Sequence, residues 1–240
     1  MARLALVTGA TRGIGAAAAV ALKAAGYKVV ANYNGNDAAA TSFTKQTGIP
    51  TAKFDVSDFA AVQAGIKKIE DEYGPIEILV NNAGISKDAT LHKMTFEQWD
   101  AVIRTNLTSV FNTCRSVIEG MRARGFGRII NIGSINGESG QYGLTNYSAA
   151  KAGVHGFTKS LALESAAKGI AVNTITPGYI DTDLLKNVPA DVLTKLVGKI
   201  PVGRLGQADE IARAVVFLAA DEAGFITGSA LSINGGMHMY

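Results

Sequence analysis

Within the run TNYSAAKAG, residues 145–153, Tyr147 and Lys151 stand four positions apart among Ser, Ala and Gly. In a helix that spacing puts both side chains on one face. An ammonium about 4.5 Å from a phenol, at an effective dielectric near 20, favours the phenolate by roughly 3 to 4 kcal/mol. That corresponds to about 2.5 pKa units, so a group that ordinarily titrates near about pH 10 is expected close to neutrality, where it can exchange protons. The small neighbours leave room for a reactant to approach the ring. A chain of this composition contains such a pair by chance roughly 0.4 times, so the pair gains meaning only from its company. The competing reading is an ordinary helix with one surface tyrosine.

Company comes from a set of segments that close apolar runs. VTGATRGIG follows the first run: Gly9 permits a tight turn, Gly13 lets backbone approach a ligand, and Gly15 allows the helix to pack on the sheet. Backbone N–H groups of Thr11 to Gly15, including Ile14, then face an anion. No Lys-Ser/Thr follows the glycines, which argues against a phosphate-binding NTPase loop. After the second run stand Asn32, Tyr33 and Asn34, with Asp37 further on at a helix start. No acid therefore opposes a 2′-phosphate there, and Arg12 offers it positive charge, which favours NADP(H) over NAD(H). Asp55 and Val56 close the third run, suited to an adenine amino group and its face. A plain turn acid is the alternative for Asp55. Asn82, Ala83 and Gly84 close the fourth, as a loop braced against a cofactor. Ser134 closes the fifth, and Pro177, Gly178 and Ile180 close the sixth, beside the expected nicotinamide.

The elements that must carry these junctions alternate. Strand-like runs LALVTG, KVVANY, TAKFDV, IEILVNNAG, RIINIGS, IAVNTITPG and ALSINGG begin at 4, 28, 51, 76, 128, 170 and 230. Helical patterns lie between them, for example at 13–25, 58–73, 96–124 and 147–169. This predicts a single α/β domain over 1–240, a doubly wound parallel sheet of about seven strands with helices on both faces. Ligands of such a sheet bind beyond the carboxyl ends of its strands, which is where the junctions fall. The segment 179–204 is too long for an ordinary connection. With Lys186, Lys195, Lys199 and Arg204 it reads as a lid over a phosphorylated substrate.

Composition excludes several other classes. At 240 residues the chain supports one substantial core, and 23 basic against 20 acidic residues are interspersed rather than blocked, which makes nucleic acid a poor partner. Cys114 is the sole cysteine and is expected to be helix packing in a reducing compartment. His92, His155 and His238 lack ligand spacing, so no metal is expected. No apolar run is long enough for a signal segment or a membrane span, so a soluble, cytoplasmic protein is expected.

TGATRGIG, NNAG, Asn106, Ser134 and YSAAK, in this order and spacing, resemble the short-chain dehydrogenase/reductases over the entire chain. SINGESGQYGLTNYSAAKAGVHGFTKSLA, TPGYIDTD and NGGMHMY resemble more narrowly a branch of that family, the NADPH-dependent acetoacetyl-CoA reductases of polyhydroxyalkanoate synthesis. The 3-oxoacyl-[acyl-carrier-protein] reductases are their close relatives. The resemblance implies that Tyr147 protonates a ketone as hydride arrives from the nicotinamide, and that Lys151 lowers its pKa and holds the ribose. Ser134 hydrogen-bonds the carbonyl oxygen, and Asn106 helps hold a relay water near the lysine. Asp88, Gln141, Tyr142 and Tyr179 join Ser134 and Tyr147 at substrate-side positions, whereas Leu144 stands where that branch is expected to carry glutamine. A homotetramer is also implied, consistent with the apolar C-terminal stretch FITGSALSINGGMHMY. A carrier-protein substrate is the alternative, for which Arg122, Arg124 and Arg128 are the candidate docking charges. A non-catalytic cofactor sensor is the remote alternative, since a sensor needs none of the complete Asn106, Ser134, Tyr147 and Lys151 set.

Overall fold

The computed structural model describes residues 2–182 and 190–239. Seven strands, β1 (Leu4–Val7), β2 (Lys28–Tyr33), β3 (Thr51–Lys53), β4 (Ile76–Asn81), β5 (Gly127–Ile132), β6 (Ile170–Pro177) and β7 (Ala230–Ile233), form one sheet in the order β3-β2-β1-β4-β5-β6-β7. Every neighbouring pair is parallel. Each strand is therefore followed by a crossover, and the helices are α1 (Gly13–Ala24), α2 (Asp37–Thr47), α3 (Phe59–Tyr73), α4 (Phe96–Ile103), α5 (Ser109–Arg124), α6 (Thr145–Ser165), α7 (Ala190–Val197) and α8 (Ala208–Ala219). Strand pleating sends alternate side chains to opposite faces. Leu4 and Leu6 of β1 join a core with α3, α5 and α6, while Ala5 and Val7 join a second core with α1, α2 and α8. The doubly wound sheet expected from the alternating pattern is the observed one.

The 96–124 pattern is not one helix. Residues Arg104–Thr108 form a π turn between α4 and α5, which widens the helix around the buried Asn106. Beneath the strand ends runs a buried polar chain. Thr113 Oγ1 donates to Asn81 Oδ1 at 2.7 Å, Asn81 Nδ2 to Asn131 Oδ1 at 2.9 Å, and Asn131 Nδ2 to Thr158 Oγ1 at 2.9 Å. The Thr158 hydroxyl meets that of Thr174 at 2.8 Å. This chain ties α5, β4, β5, α6 and β6 together directly below the junctions, with each buried polar group satisfied by the next. Cys114 packs beside it, and burial pushes its thiol up to about 12, so it is a core residue as expected.

At the opposite end of the sheet the Phe126 ring lies between the guanidiniums of Arg3 and Arg128, 3.4 and 4.4 Å from its centroid. Arg128 is buried and donates to the carbonyls of Ala220 and Asp221. Arg122 and Arg124 donate to the carbonyls of Glu164 and Ile76. Of the three arginines that the sequence offered as docking charges, Arg128 is closed to any partner, while Arg122 and Arg124 are exposed and each also braces a backbone carbonyl. Among the described residues no helix is long and apolar enough to cross a membrane.

Candidate active site

The sheet order reverses between β1 and β4, so the glycine turn after β1 and the NNAG loop after β4 lie side by side. They are welded together by protein groups. Thr8 Oγ1 accepts from the amides of Asn82 and Ala83, each at 3.0 Å, and Asn82 Nδ2 donates to the carbonyls of Thr8 and Gly9 at 2.9 and 3.0 Å. A Cβ on Gly15 would fall 2.4 Å from Asn82 Nδ2 and 2.5 Å from Gly9 O, so this glycine lets α1 pack closely on both the loop and the backbone that leaves β1. Both donors of the Asn82 side chain are thus spent on the turn. Asn32, expected at the cofactor, is buried under the turn: its Nδ2 donates to Phe54 O at 2.9 Å and its Oδ1 accepts from the Gly9 amide at 3.4 Å.

What faces outward fits a dinucleotide. Gly13 has a left-handed backbone, φ 54°, and a Cβ there would meet only Thr182, at 3.7 Å. Arg12 precedes α1 with no side-chain cap on the helix start, leaving the first-turn amides to an anion. Its side chain is exposed and makes no hydrogen bond or ion pair with a described residue. At the ends of β2 and β3, Tyr33 Oη donates to Asp37 Oδ1 at 2.9 Å and Lys53 pairs with Asp37 Oδ2 at 2.8 Å. The edge read as free of acid therefore carries Asp37, with Lys53 opposing its charge. Asp55 Oδ1 accepts from the Ser57 amide and hydroxyl, both at 2.8 Å, which is the turn alternative realised by one of its oxygens. The side chains of Val56 and Ile180 are core members, so neither presents an open face to a cofactor. Pro177 is buried at the end of β6, and Gly178 is required because a Cβ would come 2.8 Å from Asn234 Cα.

Tyr147 and Lys151 share a face of α6, with Nζ 5.7 Å from the phenol ring centroid. Lys151 is only 5% exposed, donates to Ile132 O at 2.7 Å, and burial lowers its pKa to about 8. Tyr147 moves the opposite way from expectation. Burial raises its pKa, the hydrogen bond with Ser134 lowers it, and the nearby Asp88 carboxylate adds to the rise. Desolvation is the largest influence on the phenol, and the Lys151 ammonium is engaged with the Ile132 carbonyl. Ser134 caps the turn Ile135–Gly137, accepting from the Asn136 amide at 3.2 Å. That turn sits directly on α6: a Cβ on Gly137 would be 2.8 Å from the Lys151 carbonyl carbon. Gly153 similarly lets Leu107 of the π turn approach α6, a Cβ being only 2.8 Å from Leu107 Cδ2. The small residues around the pair thus serve close packing as much as access.

Asn106 Oδ1 accepts from the Ile85 amide at 2.8 Å and its Nδ2 donates to Ile85 O at 2.9 Å. Both polar atoms of the side chain thus brace that loop. Gly84 accommodates it, a Cβ there coming 3.3 Å from Oδ1. On the substrate side, Asp88 approaches Tyr147, and Tyr179 Oη donates to Gln141 Oε1 at 3.3 Å. Tyr142 is 88% exposed and stands apart from them. The segment 179–204 is stapled at its base, Gly206 donating to Tyr179 O at 2.9 Å and Asp181 to Gly206 O at 2.8 Å. Lys186 lies outside the described residues. Arg204 is paired with Glu210 at 2.8 Å, and Lys195 and Lys199 are exposed, as is Asp181 at the start of this segment.

Residues 9–238 match the family described as enoyl-(acyl carrier protein) reductase. Fold, glycine turn and the Ser134, Tyr147, Lys151 group agree with that match, and the chain belongs to the short-chain dehydrogenase/reductases. It is 63% identical to an acetoacetyl-CoA reductase of Shinella zoogloeoides over 98% of both chains. To the acetoacetyl-CoA reductase of Rhizobium meliloti it is 61% identical over 99% of both. A 3-oxoacyl-[acyl-carrier-protein] reductase of Vibrio harveyi is 47% identical, over 99% of this chain and 98% of that one.

Proposed function

We propose that this chain reduces acetoacetyl-CoA, a 3-oxoacyl-CoA, to the 3-hydroxyacyl-CoA with NADPH, in the cytoplasm and as a homotetramer, for polyhydroxyalkanoate (polyhydroxybutyrate) synthesis. The observation that carries this reading is the end-to-end identity to acetoacetyl-CoA reductases, greater than that to a carrier-protein reductase. Of the docking charges that a competing carrier-protein substrate would use, Arg128 is buried, which leaves the exposed Arg122 and Arg124. NADPH is preferred because Arg12 is exposed beside the α1 start and Lys53 opposes Asp37.

When bound, NADPH supplies the hydride that adds to the ketone carbon. Ser134 donates a hydrogen bond to the ketone oxygen, stabilising the charge that develops there. Tyr147 gives its phenolic proton to the same oxygen and is left as phenolate. Its raised pKa keeps it protonated at neutral pH, the form that reduction requires. Lys151, held through Ile132 O, stabilises the phenolate and orients the ribose. Asn106 acts by fixing Ile85 and the loop that bears Asp88. Asp88, Gln141, Tyr142 and Tyr179 form the acyl-side wall, with Tyr142 turning in from its exposed position. The cofactor residues are Gly9 and Thr11 to Gly15, the backbones of Asn32, Tyr33, Val56, Asn82 to Gly84, Pro177, Gly178 and Ile180, and the second oxygen of Asp55.

The test is direct. Purified chain incubated with acetoacetyl-CoA and NADPH is expected to consume the reduced nicotinamide and to form 3-hydroxybutyryl-CoA, detected by mass spectrometry. An enzyme that binds NADPH yet turns over no 3-oxoacyl thioester contradicts the proposal.

A further inference from the structure

The residue before the phenol is fully buried and fully occupied. Asn146 has 0% exposure. Its Nδ2 donates to Lys87 O at 3.0 Å and to Gln98 O at 3.3 Å, while its Oδ1 accepts from the Tyr147 amide at 2.8 Å. A helix start leaves its first N–H groups without intrahelical partners, and a side-chain oxygen at the N-cap normally takes one. Here the N-cap is Leu144, which has no such oxygen. Asn146 supplies it from inside the first turn, to the amide of Tyr147 itself.

The other half of the same amide reaches across to the opposite wall. Lys87 lies between Ser86 and Asp88, whose side chains hydrogen-bond to each other, and Asp88 is the carboxylate that faces Tyr147. Gln98 belongs to α4 and closes that helix's capping box with Thr95. The loop 85–88 is thus held at its first residue by Asn106 and at its third by Asn146. A second seam runs alongside, where the Ala89 amide donates to Gly143 O at 2.9 Å. Only a short side chain with one acceptor and two donors in a plane satisfies all three backbone partners at once. Alanine lacks the donors that hold Lys87 and Gln98, serine has a single hydroxyl donor for the two, and aspartate lacks both N–H groups.

We propose that Asn146 is a positioning residue for ketone reduction: one amide fixes the backbone of Tyr147 and the Asp88 loop relative to each other, setting the width of the cleft between proton donor and acyl wall. This rests on Tyr147 being the proton donor. A displacement of about 1 Å between reacting groups is enough to cost about a hundredfold in rate. Loss of the amide therefore acts on the acyl substrate and on turnover, while the cofactor contacts at Arg12 and the glycine turn stay in place.

The experiment compares Asn146→Ala and Asn146→Ser with Asn173→Ala. Asn173 is an equally buried amide that also bridges backbone groups, donating to Ile226 O and accepting from the Ser229 amide, but away from the cleft. Thermal midpoint, NADPH dissociation constant by calorimetry, and kcat and KM for acetoacetyl-CoA are measured for each. Both Asn146 variants are expected to lose kcat/KM by about 30-fold or more, well below their midpoints, with NADPH binding changed by less than about 3-fold. Asn173→Ala is expected to lose thermal stability to a similar extent and to keep kcat and KM within about 2-fold. Asn146 variants that keep kcat/KM within about 3-fold of the parent overturn the proposal. So does a loss that Asn173→Ala shares, and so does failure of both Asn146 variants to fold while Asn173→Ala folds. Tyr147→Phe, assayed alongside, separates the two claims. If it keeps its turnover, the proton-donor reading fails by itself; if it is inactive with NADPH binding intact, the Asn146 outcome bears on Asn146 alone.

Discussion

Two titrations meet at the phenol. Tyr147 is pushed up by burial and Lys151 is pulled down to about 8 by the same cause, so near neutrality both hold their protons. Turnover in the reducing direction is expected to be level through neutral pH and to fall above about pH 8 as Lys151 loses its charge. The same shift has a stability consequence. The folded pKa of Lys151 lies below its unfolded value of 10.5, so between about 8 and 10.5 the unfolded chain binds a proton that the folded chain has released. The burial penalty is therefore complete below about pH 8 and is relieved as pH rises through that window. Denaturant titrations of parent and Lys151→Met should show the parent gaining stability relative to the variant across it; a constant difference would contradict the buried ammonium. At the cofactor end, Arg12→Ala is expected to raise the Michaelis constant for NADPH on the order of tenfold and to leave NADH nearly unaffected. Equal losses with both would assign Arg12 to the shared pyrophosphate. Tyr147 and Lys151 were legible by their four-residue spacing on a helix, and the cofactor-side residues because they follow the ends of strands. Their directions were not: Asn32, Asn82, Val56 and Ile180 turn inward, where partners from distant segments take them, and no local pattern records that.

Alternation of apolar runs revealed every strand and the helical stretches that became α1, α3, α4–α5 and α6, since period-2 and period-3.6 patterns are local properties of the chain. The π turn at Arg104–Thr108 escaped notice because a one-residue widening barely disturbs a helical apolar stripe. Asn146 escaped for another reason: beside a tyrosine its spacing has no signature, and its partners at Lys87 and Gln98 are 59 and 48 residues away. The segment 179–204 was legible as an insertion by its length. Its base is fixed by the Tyr179, Asp181 and Gly206 hydrogen bonds, and Val202 donates to Gly235 O at 3.1 Å, while residues 183–189 of the expected lid lie outside the described residues. Hydrogen exchange there is expected to slow when NADPH and acetoacetyl-CoA are both present, and KM for acetoacetyl-CoA to rise with salt. Lys195→Ala or Lys199→Ala should flatten that salt dependence. Unchanged exchange in the ternary complex would dismiss the lid.

Apolar surface on the whole molecule points to association. Phe225 is completely exposed, Phe217 of α8 is exposed, and Phe59 and Phe111 stack at the surface with centroids 6.1 Å apart. The sheet ends at β7, an edge whose backbone has no further strand to pair with among the described residues. Sedimentation is expected to give a tetramer, and Phe225→Glu to shift it toward smaller species; a monomeric parent would refute the assembly. The central claim is the identity of the acyl carrier. It is tested most directly by measuring kcat/KM with NADPH for acetoacetyl-CoA and for acetoacetyl-carrier protein on the same preparation. The account predicts that the CoA thioester is used at least about tenfold more efficiently, in line with the greater identity to acetoacetyl-CoA reductases than to a carrier-protein reductase. A preference for the carrier-protein thioester would contradict it.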